Sequence, residues 1–264
     1  MKFRKSRELV GKMKSATVSR NGKHWYVSIL CENNVAQPVH DSTSAVGIDR
    51  GVAIAAACSD GKKYVGAKAF RKYQKKLAKA QRSLSRKVKF SNNWFKQKEK
   101  VQLIHSKITN MRYDALHKAS TEISNNHAMI VLEKLATSRM SKSAKGTKEK
   151  HGKNVKAKSG LNKSILDAGW SMFASMLEYK QAWKGGLVKY VPAAYTSQKC
   201  SDCGHVTKEN RVSQSRFKCV ECGYKDNADF NASKNILAAG HAVLACGVDA
   251  LATTMKQEPA LASC

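Results

Sequence analysis

The sequence predicts an α/β protein: a mixed sheet flanked by helices, with a helical insertion and an inserted four-cysteine zinc ribbon. Three observations predict it. Short apolar runs bounded by turns alternate with stretches of helical period, in the order βββα…β…α. The region between the third and fourth runs is helical and strongly basic. Two Cys-x-x-Cys-Gly knuckles stand fifteen residues apart near the C-terminal end.

Residues 15–31 alternate apolar and polar side chains around Asn21-Gly22, a pair that accepts the positive φ angles of a type I′ turn, so they predict a β-hairpin. A lone hairpin is marginal in water and needs a sheet or another partner to pack on. The run from Ala45 to Ala57, followed by Asp60-Gly61 and residues 63–66, predicts strand, tight turn, strand, turn, strand. Asp49 falls where the first buried strand gives way to Arg50-Gly51, an unusual place for a carboxylate unless it caps the turn or faces a site.

From Phe70 the period becomes helical. Phe70, Tyr73, Leu77, Ala80, Leu84 and Val88 recur at steps of three and four, and Val101, Ile104, Ile108, Met111 and Ala115 repeat the pattern after a turn near Ser91-Asn92-Asn93. A short strand at 129–132 ends on Glu133. Residues 138–161, rich in Lys, Ser and Gly, predict a mobile loop. Helical period returns from Ile165 through Trp183 and stops at Gly185-Gly186; a strand follows at 187–191, and residues 228–243 are apolar enough for a last helix.

Forty-eight Lys and Arg against nineteen Asp and Glu leave a formal charge of +29. Solubility needs far less, so DNA or RNA is the economical partner. Between Lys62 and Lys100 fifteen basic residues face one acid, Glu99, a balance that asks for phosphate nearby. No apolar run approaches the ~18–20 residues of a spanning helix. The basic start lacks the apolar stretch of a signal peptide, so the expected location is cytoplasmic and nucleoid-associated, with no membrane partner.

In a reducing compartment, ordered cysteine spacings are read first as metal sites. Cys200, Cys203, Cys219 and Cys222 offer two thiolates from each knuckle, the set a tetrahedral Zn²⁺ takes, and the glycine after each pair permits the tight turn. Four protein thiolates leave no position for water, so the zinc is structural. Cys31, Cys58, Cys246 and Cys264 are scattered singly and predict buried or incidental thiols.

Any catalysis must then lie with carboxylates at element ends: Asp49, Glu133 and one acid of Asp226-Asn-Ala-Asp229-Phe-Asn231. Such a set could converge on one sheet edge and hold two Mg²⁺ for phosphodiester hydrolysis, or Asp49 and Glu133 could be turn and strand-end acids. Spacing alone leaves both readings open.

The stretches Val46-Gly-Ile-Asp49-Arg-Gly-Val, Ile130-Val-Leu-Glu133-Lys-Leu, Asp167-Ala-Gly-Trp170, Tyr195-Thr-Ser-Gln-Lys-Cys200-Ser-Asp-Cys203-Gly and Asp229-Phe-Asn-Ala-Ser-Lys-Asn-Ile236 resemble, in order and wording, the TnpB (OrfB) proteins of bacterial insertion sequences. The resemblance runs from about Lys14 to Ala239. It implies an RNase H-like (RuvC-like) nuclease fold interrupted by the zinc ribbon, and RNA-guided DNA endonuclease activity related to type V CRISPR effectors, with DNA and a guide RNA as partners. By motif it implies Asp49, Glu133 and Asp229 as the three catalytic, Mg²⁺-binding carboxylates, with Asp226 as the local competitor of Asp229. The segment Arg112-Tyr-Asp114-Ala-Leu-His117-Lys118 also looks like a family helix, with no catalytic step assigned to it.

The division expected on this basis is a remnant of an N-terminal β domain at 1–44 and a nuclease core at 45–194 carrying the helical insertion 67–125. The ribbon follows at 195–226, a final core segment at 227–243 and a tail at 244–264. Family members usually carry a long N-terminal region that binds the guide and reads a short DNA motif, and this chain begins near what resembles its last hairpin, so the expectation includes N-terminal truncation. Two competing readings follow: a nucleic-acid-binding protein without cleavage, or a DDE-type transposase, which shares the carboxylates but not the knuckles or the Asp-Phe-Asn-Ala motif.

Overall fold

The structure, a computed structural model, describes residues 4, 8–21, 24–33 and 36–255. It divides into two compact units, Met1–Pro38 with Ala69–Tyr113, and Val39–Lys68 with Asp114–Cys264.

The first unit holds the hairpin of β1 (Lys12–Asn21) and β2 (His24–Glu32), antiparallel with Asn21 opposite His24 and a register shift between Met13 and Ser15. Gly22 of the expected turn lies outside the described residues. Alternate residues Val27, Ile29 and Cys31 of β2 are half-buried, as the period of two requires. The same unit holds α1 (Ala69–Ser85) and the first part of α2 (Asn92–Asn126), so the basic helices expected as an insertion in the core fall with the hairpin. Leu77, Ile104 and Ile108 form their buried stripe, and the Gln97 amide donates to the Ala80 carbonyl at 3.0 Å. Val88, counted in the sequence stripe, lies beyond the end of α1 and is 79% exposed.

The second unit is built on a mixed sheet of order β5-β4-β3-β6-β7. Its strands are β3 (Ala45–Asp49), β4 (Ala56–Cys58), β5 (Lys63–Tyr64), β6 (Met129–Glu133) and β7 (Leu187–Val191). β3, β4 and β5 meander antiparallel, whereas β3, β6 and β7 run parallel. Helices cover both faces, which is why β3 and β6 read as continuous apolar runs instead of alternating ones. One face packs Val46, Ile48, Ile130 and Leu132 against Leu116, Ala119 and Ile123 of α2 and Phe173 and Leu177 of the helix following residue 169. The other packs Met129, Val131 and Val191 against Ile236 of the last helix.

That last helix, α6 (Ala228–Met255), crosses close enough to β3 that a Cβ on Gly47 would stand 2.2 Å from the Ser233 carbonyl oxygen. Only glycine admits the approach. α6 is longer than the expected 228–243 and takes in part of the expected tail; Cys264 and the rest beyond Met255 lie outside the described residues.

Two expectations fail here. Residues 138–161, expected as a loop, carry the end of α3 (Thr137–Met140), an antiparallel bridge between Gly146 and His151, and the first half of α4 (Val155–Ala168). The inward side of α4 uses polar residues: Lys158 donates to the Met140 carbonyl, and Asn162 to the carbonyls of Ser141 at 2.8 Å and Lys142 at 3.2 Å. An apolar-stripe criterion cannot see such a helix. The second is the single helix expected from Ile165 to Trp183, which is α4 and α5 (Trp170–Lys184), parted at Gly169 with φ 68°. That left-handed angle ends one helix and redirects the next.

Candidate functional site

The knuckles deliver four thiols to one point. Cys200, Cys203, Cys219 and Cys222 place their Sγ atoms within 4.8 Å of one another, with Cys200–Cys222 at 3.7 Å and Cys203–Cys219 at 3.6 Å. Sulfurs at about 2.3 Å from a tetrahedral zinc are separated by about 3.8 Å, so the set fits such an ion. Each knuckle closes by a backbone hydrogen bond, the Gly204 amide donating to the Cys200 carbonyl at 3.0 Å and the Gly223 amide to the Cys219 carbonyl at 3.2 Å, with positive φ at both glycines. Burial pushes the Cys219 thiol up, but the Cys222 and Glu221 amides and the neighbouring thiols outweigh it and hold Cys219 down at about 6. Against the Tyr224 amide, burial and hydrogen bonds to the other three thiols push Cys222 the opposite way, up to about 12, so the cluster shares protons that a metal would displace.

Buried asparagines, which the sequence reading left unassigned, hold this module. The Asn210 amide donates to the Gln198 and His205 carbonyls at 2.9 and 3.1 Å, and its oxygen accepts from the Val220 amide at 3.0 Å, joining the two knuckles. From α6, Asn231 donates to the Lys199 carbonyl at 2.7 Å and accepts from the Ser201 amide at 2.9 Å. Asn235 donates to the carbonyls of Thr196 at 3.0 Å and Lys199 at 2.7 Å. The motif Asp229-Phe-Asn-Ala-Ser-Lys-Asn therefore carries its own physical logic: its asparagines bolt the first knuckle to the helix that begins at its acid.

The three carboxylates sit at element ends. β3 and β6 are parallel, so Asp49 and Glu133, their last residues, share one edge of the sheet, and Asp229 lies in the first turn of α6. Burial, then the charges of Glu133 and Asp229, push the Asp49 carboxyl up to about 7, against the guanidiniums of Arg211 and Arg50. Burial likewise raises Glu133, while the Thr196 hydroxyl bonded to its Oε1 and the nearby Arg50 charge oppose the rise. Among the described residues, the four cysteines are the set whose donor atoms converge within 4.8 Å; the carboxylates interact through their charges without reaching that spacing.

Asp226 is otherwise engaged. Its Oδ2 accepts from the Lys234 ammonium at 2.8 Å and the Tyr224 hydroxyl at 2.7 Å. Against the burial that raises it, these partners and the Asn227 amide hold it below the usual carboxylate range. It ties β9 (Lys225–Asn227), paired with β8 (Arg216–Lys218), to α6.

Arg50 and Trp170 steady the loop after Asp49. The buried Arg50 guanidinium donates to the carbonyls of Glu133 and Trp170, the latter at 3.2 Å, and the Trp170 indole donates to the Gly51 carbonyl at 3.1 Å. The Asp167-Ala-Gly-Trp170 stretch thus acts through Trp170. In the Arg112–Lys118 stretch, Leu116 enters the core and Asp114 pairs with Lys118 at 2.7 Å on the exposed side. Cys58 is buried and its thiol pushed up to about 12, chiefly by burial, while Cys31 is half-buried. No helix among the described residues is long and apolar enough to cross a membrane.

Comparison with known proteins places the chain among transposon-encoded and Cas12f-like sequences. The OrfB family model, described as "Probable transposase", matches residues 28–144, and that of the Cas12f1-like TNB domain matches residues 170–236. InsQ of Escherichia coli strain K12, provisionally named an RNA-guided DNA endonuclease, is 57% identical over 98% of this chain and 65% of its own length. A Streptomyces pristinaespiralis protein with the same provisional name is 38% identical over 88% of this chain and 54% of its own. The chain thus spans between about half and two thirds of these relatives. Among solved structures, the Cas12f1–sgRNA–target DNA complex superposes with a TM-score of 0.48 at 21% identity, over 83% of this chain and 55% of that one.

Proposed function

Because the chain belongs to the TnpB (OrfB) family, we propose that it forms the RuvC-like nuclease portion of an RNA-guided DNA endonuclease, with Asp49, Glu133 and Asp229 as its catalytic carboxylates. One observation carries the reading: acids from two adjacent parallel strands and from the N-terminal turn of α6 are close enough that, on top of its burial, the charges of two of them add to the rise of the third to about 7. Like charges set against one another behind buried backbone are costly unless a cation or a proton offsets them. An all-oxygen donor set of this kind suits Mg²⁺, and two such ions, when bound, supply an activated water and neutralise the leaving oxygen.

The chain's own residues do the positioning. Thr196 donates to one oxygen of Glu133 and so fixes its rotamer. Arg50 anchors the end of β6 through the Glu133 carbonyl and lends positive charge beside Asp49 and Glu133. Asn231 and Asn235 fix the start of α6, and with it Asp229, to the cysteine module. We assign that module a structural zinc and no chemical step, since four thiolates fill the coordination sphere. The basic helices α1 and α2 hold the phosphates of DNA and guide RNA without selecting sequence.

Purified protein assembled with RNA transcribed from its flanking sequence should cut single-stranded or R-loop DNA in Mg²⁺. Asp49→Ala should abolish the product while leaving binding intact. Equal cutting by Asp49→Ala would sink the assignment, and salt-sensitive binding without product in Mg²⁺ or Mn²⁺ would replace it with a binding protein that does not cleave.

A further inference from the structure

The turn joining α1 to α2 and the first turn of α2 carry three aromatic rings that no part of the acidic site explains. Phe90 is 74% exposed and Phe95 50% exposed. Ring centroids of Trp94 and Phe95 stand 5.2 Å apart, and those of Phe90 and Trp94 5.5 Å. Phe90 sits at φ 67°, a left-handed conformation that bulky residues rarely adopt. Ser91 locks the turn: its hydroxyl donates to the Val88 carbonyl at 2.8 Å and accepts from the Trp94 amide at 3.2 Å, while its carbonyl accepts from the Phe95 amide at 3.0 Å. The rings pack on one another and still leave much of two of them in water.

Cations surround the rings. Lys98 Nζ lies 5.0 Å from the Trp94 ring centroid. Beside Phe95 opens a hollow of about 470 Å³ bounded by Arg20, Phe95, Lys96, Lys98, Glu99 and Gln102. Arg86, Lys87 and Lys89 precede the rings in sequence, and Glu99 is the only acid between Lys62 and Lys100. Aromatic faces set among so many cations call for a ligand that is itself a polyanion with flat apolar faces, and nucleic acid has both.

We propose that Phe90, Trp94 and Phe95 form a stacking platform for an exposed nucleobase, with the adjoining phosphates in the hollow lined by Arg20, Lys96 and Lys98. The base is unpaired or terminates a duplex; in either source the chemistry is a base face on an aromatic ring. The inference rests on the nucleic-acid-binding part of the proposed function and not on cleavage.

The test uses the full chain and three fluorescent probes: a short single-stranded oligodeoxynucleotide, an abasic deoxyribose-phosphate chain of equal length and charge, and a blunt duplex. Replacing Phe90 and Phe95 together by Leu keeps the apolar bulk and removes two ring faces; Phe95→Leu alone serves if the pair lowers the thermal midpoint. The expected result is a loss of roughly five- to thirty-fold in affinity for base-bearing probes, with abasic binding unchanged. Lys96→Ala with Lys98→Ala should weaken all probes and flatten the salt dependence. A loss confined to the single strand assigns an unpaired base, and a loss on the duplex assigns a helix end. Equal losses on base-bearing and abasic probes, or no loss on any, would overturn the platform. A chain that binds none of the probes overturns the nucleic-acid reading as well, whereas one that binds and never cleaves overturns only the nuclease.

Discussion

Asp49 is the most strongly shifted of the three carboxylates, and its environment makes a prediction with a definite sign. Its folded carboxyl is raised to about 7 by burial and by Glu133 and Asp229, above the usual carboxylate value. A raised folded value means that the folded state binds the proton more tightly than the unfolded chain. The contribution is therefore fully present below the unfolded value and is lost as pH climbs through about 7. Asp49→Asn removes the dependence. Without added Mg²⁺, the variant should be more stable than wild type at pH 8 by on the order of 1–2 kcal/mol, the gap closing toward pH 5. Urea denaturation across that range measures it, and a pH-independent gap would contradict the coupling of the three acids. Asp49 and Glu133 were visible in the sequence because each ends an apolar run. Thr196 and Arg50 were not, since their meaning depends on which carboxylate or carbonyl the fold places beside them.

At the scale of elements, α6 and the cysteine module work as one device. Gly47 allows α6 to lie on β3, and an added methyl would meet the Ser233 carbonyl oxygen at 2.2 Å and the Leu237 amide nitrogen at 2.5 Å. Gly47→Ala should then cost about 1–3 kcal/mol, as overpacking does, and shift Asp229 away from Asp49. A wild-type thermal midpoint in that variant would show that α6 docks elsewhere. The module itself should hold about one zinc per chain, the count that four thiolates complete. Cys219→Ser should lower both the zinc content and the thermal midpoint, because metal binding energy is partly folding energy. Elemental analysis finding no zinc in freshly purified protein would defeat the assignment. The knuckles and their glycines were legible from spacing alone. The clamps by Asn210, Asn231 and Asn235 were not, because an asparagine's partner is set by the burial around it and no spacing rule announces it.

For the molecule as a whole the dominant quantity is its charge of +29. Binding to any nucleic acid should fall steeply with salt, the logarithm of the affinity declining linearly with that of salt concentration by ~0.7–0.9 per phosphate neutralised. Fluorescence titrations from low to physiological salt would measure the slope; a slope near zero would mean that the basic helices do not touch phosphate. By itself the sequence determined the local and chemical facts: the charge, the cysteine knuckles, the strands that end in Asp49 and Glu133, and the family motifs that carry them. These survive in one dimension because spacing, period and side-chain type encode them directly. Only the tertiary structure decided what depends on burial and on approach between distant segments. The polar inner face of α4 stays hidden until Met140, Ser141 and Lys142 offer it carbonyls. The break at Gly169 needed a backbone angle, and the mutual charge of Asp49, Glu133 and Asp229 exists only once parallel strands and α6 bring carboxylates up to 180 residues apart to one edge.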